Sequence, residues 1–466
     1  MISLTLTEVA AAVGGHLQGH PGDAQVTGVS LDSRTLRAGD LFIGVRGERF
    51  DGDRFAAAAL AAGALCAVVR AETAAALPPA AARIVVTEGL DALQALAGEV
   101  RRRSPARVAA ITGSTGKTST KDILASLLAP VARTVATQGN HNNEVGVPLT
   151  LLRAEPDTEV IVAELAMRGR GQIRQLARMA APDVGVITNI APVHLELVGD
   201  IEDVAAAKAE LIEELGERAV VVPGDEPLLM PYLAHHRGRV ITFGDLGSNV
   251  HLVDVDYAEQ ETSAVVDAFG RRARLRFNFT GGHYLTDALA ALAAFLELGY
   301  PLEAAREGAA SIAFSELRGE IVQLSAGGFL LNDTYNANPL AMHAAIDHLL
   351  QLAAGRPTVA VLGDMYELGP RSHAFHVEVG EYLAERGVKL VAVGELARGY
   401  LDGGPDGVWH HTVDDCIAAL PQDVAPGSAV LVKASRALRL ERVAAALRAT
   451  GAAGPDDRPG TADPRD

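Results

Sequence analysis

Residues 109–121 read "AAITGSTGKTSTK", and this stretch sets the fold of the region around it. The apolar run "VAAIT" ends at Thr112, and the chain then turns through Gly113 and Gly116 into a helical sequence from Lys117. This order predicts a buried strand, a glycine turn and a helix, as in a phosphate-binding loop. Glycine lets successive backbone N–H groups face an anion, and the helix N-terminus adds partial positive charge.

The side chains of this loop suit a nucleoside triphosphate. Lys117 supplies a full positive charge for the β- and γ-phosphates, and the Thr118 hydroxyl can ligate Mg²⁺. The spacing is GxxGKT rather than GxxxxGKT because residue 111 is Ile. On this motif alone, a single-loop GTPase and a regulatory ATP-binding module remain alternatives. The predicted nucleotide-binding residues are Gly113, Ser114, Thr115, Gly116, Lys117, Thr118 and Ser119.

Polar residues also follow two neighbouring apolar runs. Glu164 ends the run in "VIVAELAMRGRGQI" (160–173), and Asn189 and His194 follow the run in "VGVITNIAPVHLELVG" (184–199). Open α/β sheets bind ligands at the carboxyl ends of their strands. We therefore predict that these side chains share a site with the phosphate-binding loop; the alternative is a solvated or hydrogen-bonded surface role for each.

Two basic features have simpler interpretations from the residues alone. Lys208 lies in the helical run "DVAAAKAELI" (203–212), where a lysine is expected on the solvated helix surface. The segment "RRRSPAR" (101–107) predicts a solvated linker.

Alternating apolar and Ala-rich helical runs predict an α/β protein of three domains. The predicted boundaries are 1–103, 104–316 and 317–450, and the Gly/Pro/Asp-rich residues 451–466 are predicted to be a disordered tail. Residues 250–280 alternate like antiparallel strands. Strand-like runs at 329–333, 358–363, 389–393 and 429–433 predict a doubly wound sheet in the third domain.

A polar turn in the third domain is a candidate ligand edge. In "LLNDTYNANPLAMHAAI" (330–346), Asp333, Tyr335, Asn336 and Asn338 follow a strand, and Pro339 marks a helix start. A capped loop without ligand contacts is the alternative.

Composition excludes several classes of protein. The 466 residues carry a net charge of −17, which disfavours non-specific binding to nucleic acid or anionic membranes. Two cysteines cannot form a disulfide framework. The sequence shows neither a signal peptide nor an apolar stretch of about 20 residues that could span a membrane. We expect a cytoplasmic monomer.

Six segments, in their order and spacing, resemble the Mur ligase family across residues 24–449. The family has an N-terminal domain for a UDP-linked substrate, a central P-loop ATPase-type domain with a parallel sheet, and a C-terminal Rossmann-like domain. The segments are "DSRTLRAGDLFIGVRGERFDGDRF" (32–55), "TGSTGKTSTK" (112–121), "TQGNHNNEVGVPLTLL" (137–152), "ITNIAPVHLELVG" (187–199), "NDTYNANPLAM" (332–342) and "LGDMYELG" (362–369).

The resemblance implies an ATP- and Mg²⁺-dependent ligase that joins D-alanyl-D-alanine to UDP-N-acetylmuramoyl-tripeptide through an acyl phosphate. The alternatives are a Mur-type ligase that adds a single amino acid, a folylpolyglutamate synthase-like ligase, and a catalytically silent nucleotide-binding scaffold.

The resemblance also implies roles for individual residues. Lys117, Glu164, His194 and Lys208 are implied as catalytic, and Thr118, Glu164, His194 and Lys208 as metal ligands, with Lys208 carbamylated. Ser33 and Arg34 would contact the UDP-linked substrate, Asn140, Asn142 and Asn143 would border the site, and Arg318, Asp333, Tyr335, Asn336 and Asn338 would bring the third domain onto ATP. The sequence departs from the family pattern at Ala166, Tyr284, Asp287 and Ala434.

Overall fold

The computed structural model describes residues 1–20, 22–47, 50–258 and 260–450. The predicted tail at 451–466 lies outside these residues. Strands and helices alternate along the chain, and the strands of the described residues form four sheets, of two, five, nine and six strands. The α/β class is therefore confirmed. Within the described part of the chain, none of the helices combines the length and the apolar character that crossing a bilayer requires.

The N-terminal region holds the five-stranded sheet, in the order β2-β7-β6-β5-β4, and the two-stranded sheet β1-β3. Only the β2–β7 pairing in the larger sheet is antiparallel. The elements are β1 (Leu4–Thr5), α1 (Leu6–Ala12), β2 (His16–Gln18), β3 (Gln25–Val26), β4 (Val29–Ser30), β5 (Leu41–Ile43), α2 (Ala56–Ala61), β6 (Cys66–Arg70), α3 (Ala71–Ala76), β7 (Arg83–Val86) and α4 (Gly89–Arg103).

The prediction of a linker over 101–107 is wrong at 101–103 and 107, which belong to α4 and β8, although Arg102, Arg103 and Arg107 are exposed as that prediction implied. Residues 101–103 form the last turn of α4, where cations suit the negative end of the helix dipole. Arg101 donates hydrogen bonds to the carbonyls of Ala180 at 2.8 Å and Ala106 at 3.0 Å. The buried face of α4 belongs to a hydrophobic cluster that continues into the central region, so the chain passes from one region to the next without a loose joint.

The central region holds the nine-stranded sheet, in the order β16-β15-β14-β13-β12-β11-β8-β10-β9. The pairings from β9 to β14 are parallel, and β14, β15 and β16 are antiparallel, as the alternation at 250–280 predicts. The elements are β8 (Arg107–Thr112), α5 (Lys117–Leu128), β9 (Thr134–Ala136), α6 (Gly146–Leu151), β10 (Val160–Glu164), α7 (Gln172–Ala180), β11 (Val184–Ile187), α8 (Leu195–Val198), α9 (Ile201–Leu215), β12 (Ala219–Pro223), α10 (Met230–Leu233), β13 (Val240–Gly244), β14 (Val250–Tyr257), β15 (Thr262–Ala268), β16 (Arg271–Phe277), α11 (Gly282–Glu297) and α12 (Ala305–Ala309).

The C-terminal region holds the six-stranded sheet, in the order β17-β18-β22-β19-β20-β21, and only the β17–β18 pairing is antiparallel. Separate hydrophobic clusters cover the two faces, so the doubly wound arrangement is confirmed. The elements are β17 (Glu320–Gln323), β18 (Phe329–Asn332), α13 (Pro339–Ala353), β19 (Thr358–Gly363), α14 (Ser372–Glu385), β20 (Lys389–Val393), β21 (Gly407–His410), α15 (Val413–Asp423), β22 (Ala429–Lys433) and α16 (Glu441–Thr450).

Side chains of α5 bond to the segment at the junction of the central and C-terminal regions. The Asp122 carboxylate accepts the backbone N–H of Ser315 at 2.8 Å, and Arg318 donates to the Thr118 hydroxyl at 2.9 Å. Farther along, Thr280 and His348 are joined at 2.9 Å. These contacts fix the two regions around one shared space.

Candidate active site

A cavity of about 1120 Å³ lies between the carboxyl ends of the central parallel strands and the C-terminal region. It brings together most of the residues that the sequence singled out. Gly113, Lys208, Ser33, Arg34 and Ala434 are not among its lining residues. The predicted residues that line it are Ser114, Thr115, Gly116, Lys117, Thr118, Ser119, Asn140, Asn142, Asn143, Glu164, Ala166, Asn189, His194, Tyr284, Asp287, Arg318, Asp333, Tyr335, Asn336 and Asn338. Leu289 on α11, which the sequence did not single out, also lines it.

The phosphate-binding loop has the predicted strand–turn–helix form. β8 ends at Thr112, and Gly116, with φ of 73°, precedes the first residue of α5. A Cβ at Gly113 would overlap the Thr188 hydroxyl, and one at Gly116 would overlap the Asp287 carboxylate. Both glycines are therefore needed for close packing as well as for backbone conformation.

The segment after β11 holds this loop in place. The Asn189 side-chain oxygen accepts the backbone N–H of Thr115 at 2.9 Å, and its amide donates to the Thr115 hydroxyl at 2.7 Å. The Ser114 hydroxyl donates to the Ala191 carbonyl at 3.0 Å. Asn189 thus supports the loop backbone, a role that its position after a strand did not reveal.

Two lysines converge on one backbone carbonyl of the loop. The Gly113 oxygen accepts from Lys117 Nζ at 2.7 Å and from Lys208 Nζ at 2.9 Å. Burial is the main cause that lowers the pKa of Lys117 to about 8, and the charge of Arg318 lowers it further, whereas Glu164 opposes the shift. Burial, followed by the charge of Lys117, lowers the pKa of Lys208 well below its usual value.

The expectation of a solvated Lys208 is wrong, because only 2% of the residue is exposed. α9 turns it inward together with Val204, Ala205 and Leu211. Alanines surround this lysine in sequence, so the apolar pattern did not mark which face of the helix was buried. The inward position is the one that the family resemblance implies.

Glu164 provides an unpaired buried oxygen. Its Oε1 accepts from the Asn142 side chain at 2.8 Å, whereas its Oε2 is buried without a hydrogen-bond partner. An orphaned carboxylate oxygen that lines a cavity fits a cation. The described residues contain no cluster of three or more His, Cys, Asp or Glu side chains that could hold a metal. A Mg²⁺ ion would therefore need further oxygens from phosphates and water, as is usual for this ion.

His194 reaches the cavity from the loop after β11, with φ of 55°. Its Nδ1 bonds to the carboxylate of Glu367, which belongs to the C-terminal region. Burial lowers the pKa of His194, the charges of Lys117 and Lys208 add to this effect, and Glu367 opposes it. Sequence reasoning missed Glu367, although it lies in the quoted segment "LGDMYELG".

The C-terminal region contributes an arginine and a lysine to the cavity. The Arg318 guanidinium lies 4.0 Å from the centre of the Tyr335 ring and donates to Thr118. Lys433, also missed from the sequence, pairs with Asp333 at 2.5 Å and donates to the Asn336 carbonyl at 2.9 Å.

Asn338 has a structural role in addition to its place in the cavity wall. Its side-chain oxygen accepts the backbone N–H of Ala341 at 2.9 Å and caps α13, whose first residue is Pro339. The helix start predicted from proline is confirmed.

Tyr284 and Asp287 are buried on the first turns of α11. Burial raises the pKa of Asp287 to about 8, although Arg318 and hydrogen bonds with Thr120 and Ser119 oppose the shift. Tyr284 packs against His283 with ring centres 3.9 Å apart. Burial therefore favours the protonated form of a carboxyl group that lies against the phosphate-binding loop.

Arg34 and Ser33 lie in the N-terminal region, away from the lining of this cavity. Arg34 pairs with Asp32 at 2.7 Å and lowers the pKa of that carboxyl group to about 2. Contact of these residues with a UDP-linked substrate stays a prediction.

Models of three domains of one family match the chain in order. The Mur ligase family catalytic domain matches residues 25–101, the Mur ligase middle domain matches 111–295, and the Mur ligase glutamate ligase domain matches 317–436.

Curated relatives and solved structures agree with these models. The UDP-N-acetylmuramoyl-tripeptide–D-alanyl-D-alanine ligase of Bacillus subtilis is 35% identical over 95% of this chain and 98% of its own length. The ligase of the same name from Escherichia coli is 33% identical over 97% and 100%. A crystal structure of MurF from Acinetobacter baumannii has a TM-score of 0.87, with 30% identity over 96% of this chain and 99% of that one.

Two further structures are informative. MurF from Thermotoga maritima, in complex with ADP, has a TM-score of 0.80 and 31% identity over 91% of this chain and 97% of that chain. Folylpolyglutamate synthase from Mycobacterium tuberculosis has a TM-score of 0.62 at 18% identity over 79% of this chain and 95% of that chain, which indicates a shared fold.

Proposed function

Because the chain belongs to the Mur ligase family, we propose that it joins D-alanyl-D-alanine to UDP-N-acetylmuramoyl-tripeptide while ATP becomes ADP and phosphate. One observation carries this function: similarity to the D-alanyl-D-alanine-adding ligases runs through the N-terminal, central and C-terminal regions at 35% and 33% identity. The likeness to folylpolyglutamate synthase covers only 79% of the chain.

The phosphate-binding loop and its lysine bind the ATP phosphates. Ser114, Thr115, Gly116 and the first residues of α5 line the cavity beside Lys117, so that the N-terminus of this helix lies at the cavity wall. Lys117 and Lys208 now share one carbonyl acceptor, and an arriving phosphate offers Lys117 a stronger, charged partner. Lys117 then offsets the repulsion between the nucleotide and the substrate carboxylate.

Mg²⁺ fits beside this loop, with Thr118, Glu164, His194 and Lys208 as the residues that would hold it. The buried, unpartnered Oε2 of Glu164 supports this assignment. When bound, Mg²⁺ would offset the charge of the transferring phosphate.

Lys208 suits this site once its cation is converted into an anion. Burial and the neighbouring Lys117 favour the neutral amine, which is the nucleophilic form. Addition of this amine to CO₂ forms an N–C bond, and loss of a proton leaves an anionic carbamate. The carbamate oxygens are hard ligands, as Mg²⁺ prefers.

The reaction proceeds in two balanced steps. An oxygen of the terminal carboxylate of the tripeptide attacks the γ-phosphorus, and the bond from that phosphorus to the ADP oxygen breaks. The amine of D-alanyl-D-alanine then attacks the acyl carbon, phosphate leaves with the acyl–oxygen electron pair, and the amine releases a proton. Water would hydrolyse the acyl phosphate, so the C-terminal region, through Arg318, serves to close the site.

The three regions divide the work in this proposal. Residues 1–103, with Ser33 and Arg34, receive the UDP-linked substrate, residues 104–316 bind ATP, and residues 317–450 close on the nucleotide. We place the reaction in the cytoplasm, where ATP is available, and expect a monomer without a nucleic acid or membrane partner.

The decisive experiment measures product mass and phosphate release from UDP-N-acetylmuramoyl-tripeptide, ATP and one acceptor at a time. We expect the mass of the product to exceed that of UDP-N-acetylmuramoyl-tripeptide by one D-alanyl-D-alanine unit. We expect phosphate to be released only with that acceptor. Phosphate release with a single amino acid in its place would overturn the acceptor assignment. Intact ATP with every acceptor would overturn the ligase function.

A further inference from the structure

We propose that Glu367 of the C-terminal region is a positioning residue, which holds the His194 imidazole so that its Nε2 faces the cavity. The inference rests on the proposed function of His194 as a metal ligand. It adds a dependence on the C-terminal region: His194 is correctly oriented only while that region is docked.

The turn that carries His194 is held from the C-terminal side at three points. The Glu367 carboxylate bonds to His194 Nδ1, and the Glu367 carbonyl accepts the backbone N–H of Glu196 at 3.4 Å. Leu195 packs against both the N-terminal–central cluster and a cluster of the C-terminal region. The side chain, backbone and apolar contacts therefore act on three successive residues.

The bond to Nδ1 decides which ring nitrogen is left for a ligand. A carboxylate acceptor fixes the proton on Nδ1 and leaves the Nε2 lone pair free. His194 lines the cavity, whereas Glu367 does not. A carboxylate behind a histidine that presents its other nitrogen to a metal is a common arrangement, and it fixes the ring orientation.

Backbone conformation supports a specific role for this pair. His194 has φ of 55° and Glu367 has φ of 64°, in the left-handed region that non-glycine residues seldom adopt. Such conformations persist where surrounding contacts over-determine them. Both partners in the bond are held in this way, one in each region.

The test compares Glu367→Ala, Glu367→Gln and the matched control Glu196→Gln, which alters an exposed glutamate on the same turn. Mn²⁺ binding is titrated by electron paramagnetic resonance, with a non-hydrolysable ATP analogue present. We expect Glu367→Ala to weaken Mn²⁺ binding about 10- to 100-fold. Glu367→Gln should lose less Mn²⁺ affinity, because its amide oxygen still accepts a hydrogen bond from Nδ1–H of His194. Glu196→Gln should bind Mn²⁺ like the wild type.

His194→Ala and the double variant separate this inference from the proposed function. If His194→Ala binds Mn²⁺ like the wild type, the metal role in the proposed function fails. If His194→Ala weakens binding and Glu367→Ala does not, only the role of Glu367 fails. Because Glu367 acts through His194, its removal in the His194→Ala background should cause no further loss; additive losses contradict the inference.

Small-angle scattering on the same proteins distinguishes positioning from docking. We expect Glu367→Ala to keep the wild-type radius of gyration, because the Glu196–Glu367 backbone bond and the Leu195 contacts remain. If Mn²⁺ affinity falls only together with an increase in that radius, Glu367 serves docking and the positioning role is overturned. An unchanged radius of gyration in Glu367→Ala also shows that this variant does not lose Mn²⁺ affinity through misfolding.

Discussion

At the scale of single residues, this site contains ionisable groups whose pKa values are shifted by burial. Lys208 and Asp287 both lie within the protein interior, and neither has a fully compensating ion partner. Burial favours the neutral form of each, an amine in one case and a carboxylic acid in the other. These two groups therefore give the clearest tests of the site's electrostatics.

We expect Lys208→Ala to abolish ligase activity, with partial recovery on addition of bicarbonate or a small carboxylate. The substitution removes the group that forms the carbamate, and a small anion can occupy the space that it leaves. Turnover is measured as phosphate release with all substrates present. Lys389→Ala is the matched control, because Lys389 at the start of β20 bonds to the carbonyl of Asp423 at the end of α15 and does not line the cavity. Wild-type turnover of Lys208→Ala would contradict the carbamate.

We expect Asp287→Asn to have a higher unfolding free energy than the wild type, by a difference that grows as the pH rises towards 8. The folded carboxyl group has a pKa near 8 against an ordinary value of 3.8, so the folded state binds more protons between these values. Stability of the wild type therefore falls as pH increases through this window, and an uncharged amide removes that loss.

The measurement is the difference in unfolding free energy between wild type and Asp287→Asn in urea at pH 5, 6.5 and 8. We expect the difference to grow with pH by an amount on the order of 1 kcal/mol per pH unit. Asp256→Asn, on the exposed side of β14, should show no comparable trend. A difference that stays constant over this range argues against a buried, protonated Asp287.

At the scale of elements, strand ends and helix starts place the functional groups. β8 delivers the phosphate-binding loop to α5, β10 delivers Glu164, and the loop after β11 delivers Asn189 and His194. β8 lies between β10 and β11 in the sheet, so their carboxyl ends are adjacent. Parallel pairing thus gathers residues that are far apart in sequence.

Asn338→Ala should lower the unfolding free energy by about 1 kcal/mol, because it removes the side-chain acceptor that caps α13. Asn338→Asp keeps an acceptor at this position and should recover most of the loss. Urea denaturation of both variants is compared with Gln351→Ala, an exposed position on the same helix. Equal stability of Asn338→Ala and Gln351→Ala would show that the cap contributes little.

At the scale of the whole molecule, two histidines, the half-buried His283 and the buried His348, lie between the central and C-terminal regions. His283 and His348 have ring centres 5.5 Å apart, and His348 bonds to Thr280 across the contact. Burial lowers the pKa of His283 to about 3, helped by the charges of His348 and Lys433. Burial also lowers the pKa of His348 to about 4, although Asp333 opposes this shift.

We expect the docked arrangement to weaken as pH falls from about 6.5 towards 4. Undocked histidines take up protons near 6.5 and docked ones only near 3 to 4, so protons favour the undocked state in this window. The radius of gyration, measured at pH 7.5, 6 and 5, should increase. His348→Gln should show a smaller dependence on pH, and an unchanged wild-type radius down to pH 5 would contradict the expectation.

The sequence determined the α/β class, the three-part order of elements and the phosphate-binding loop. Local patterns carry these features: a strand, a glycine turn and a lysine-led helix are contiguous from 108 to 128. Most predicted strand positions were right for the same reason, since each was a short apolar run. The order of six segments also indicated the family and its substrates.

The pairing of residues across the sheets is set by the folded structure. That structure buried Lys208 beside Gly113, turned 101–103 into the end of a packed helix, and joined His194 to Glu367. None of these contacts follows from local periodicity, because the partners lie more than seventy residues apart in the sequence. In the case of Lys208, alanines on several faces of the helix also leave the buried face unmarked. Contacts of this kind arise from how helices pack and strands pair, which is a property of the whole chain.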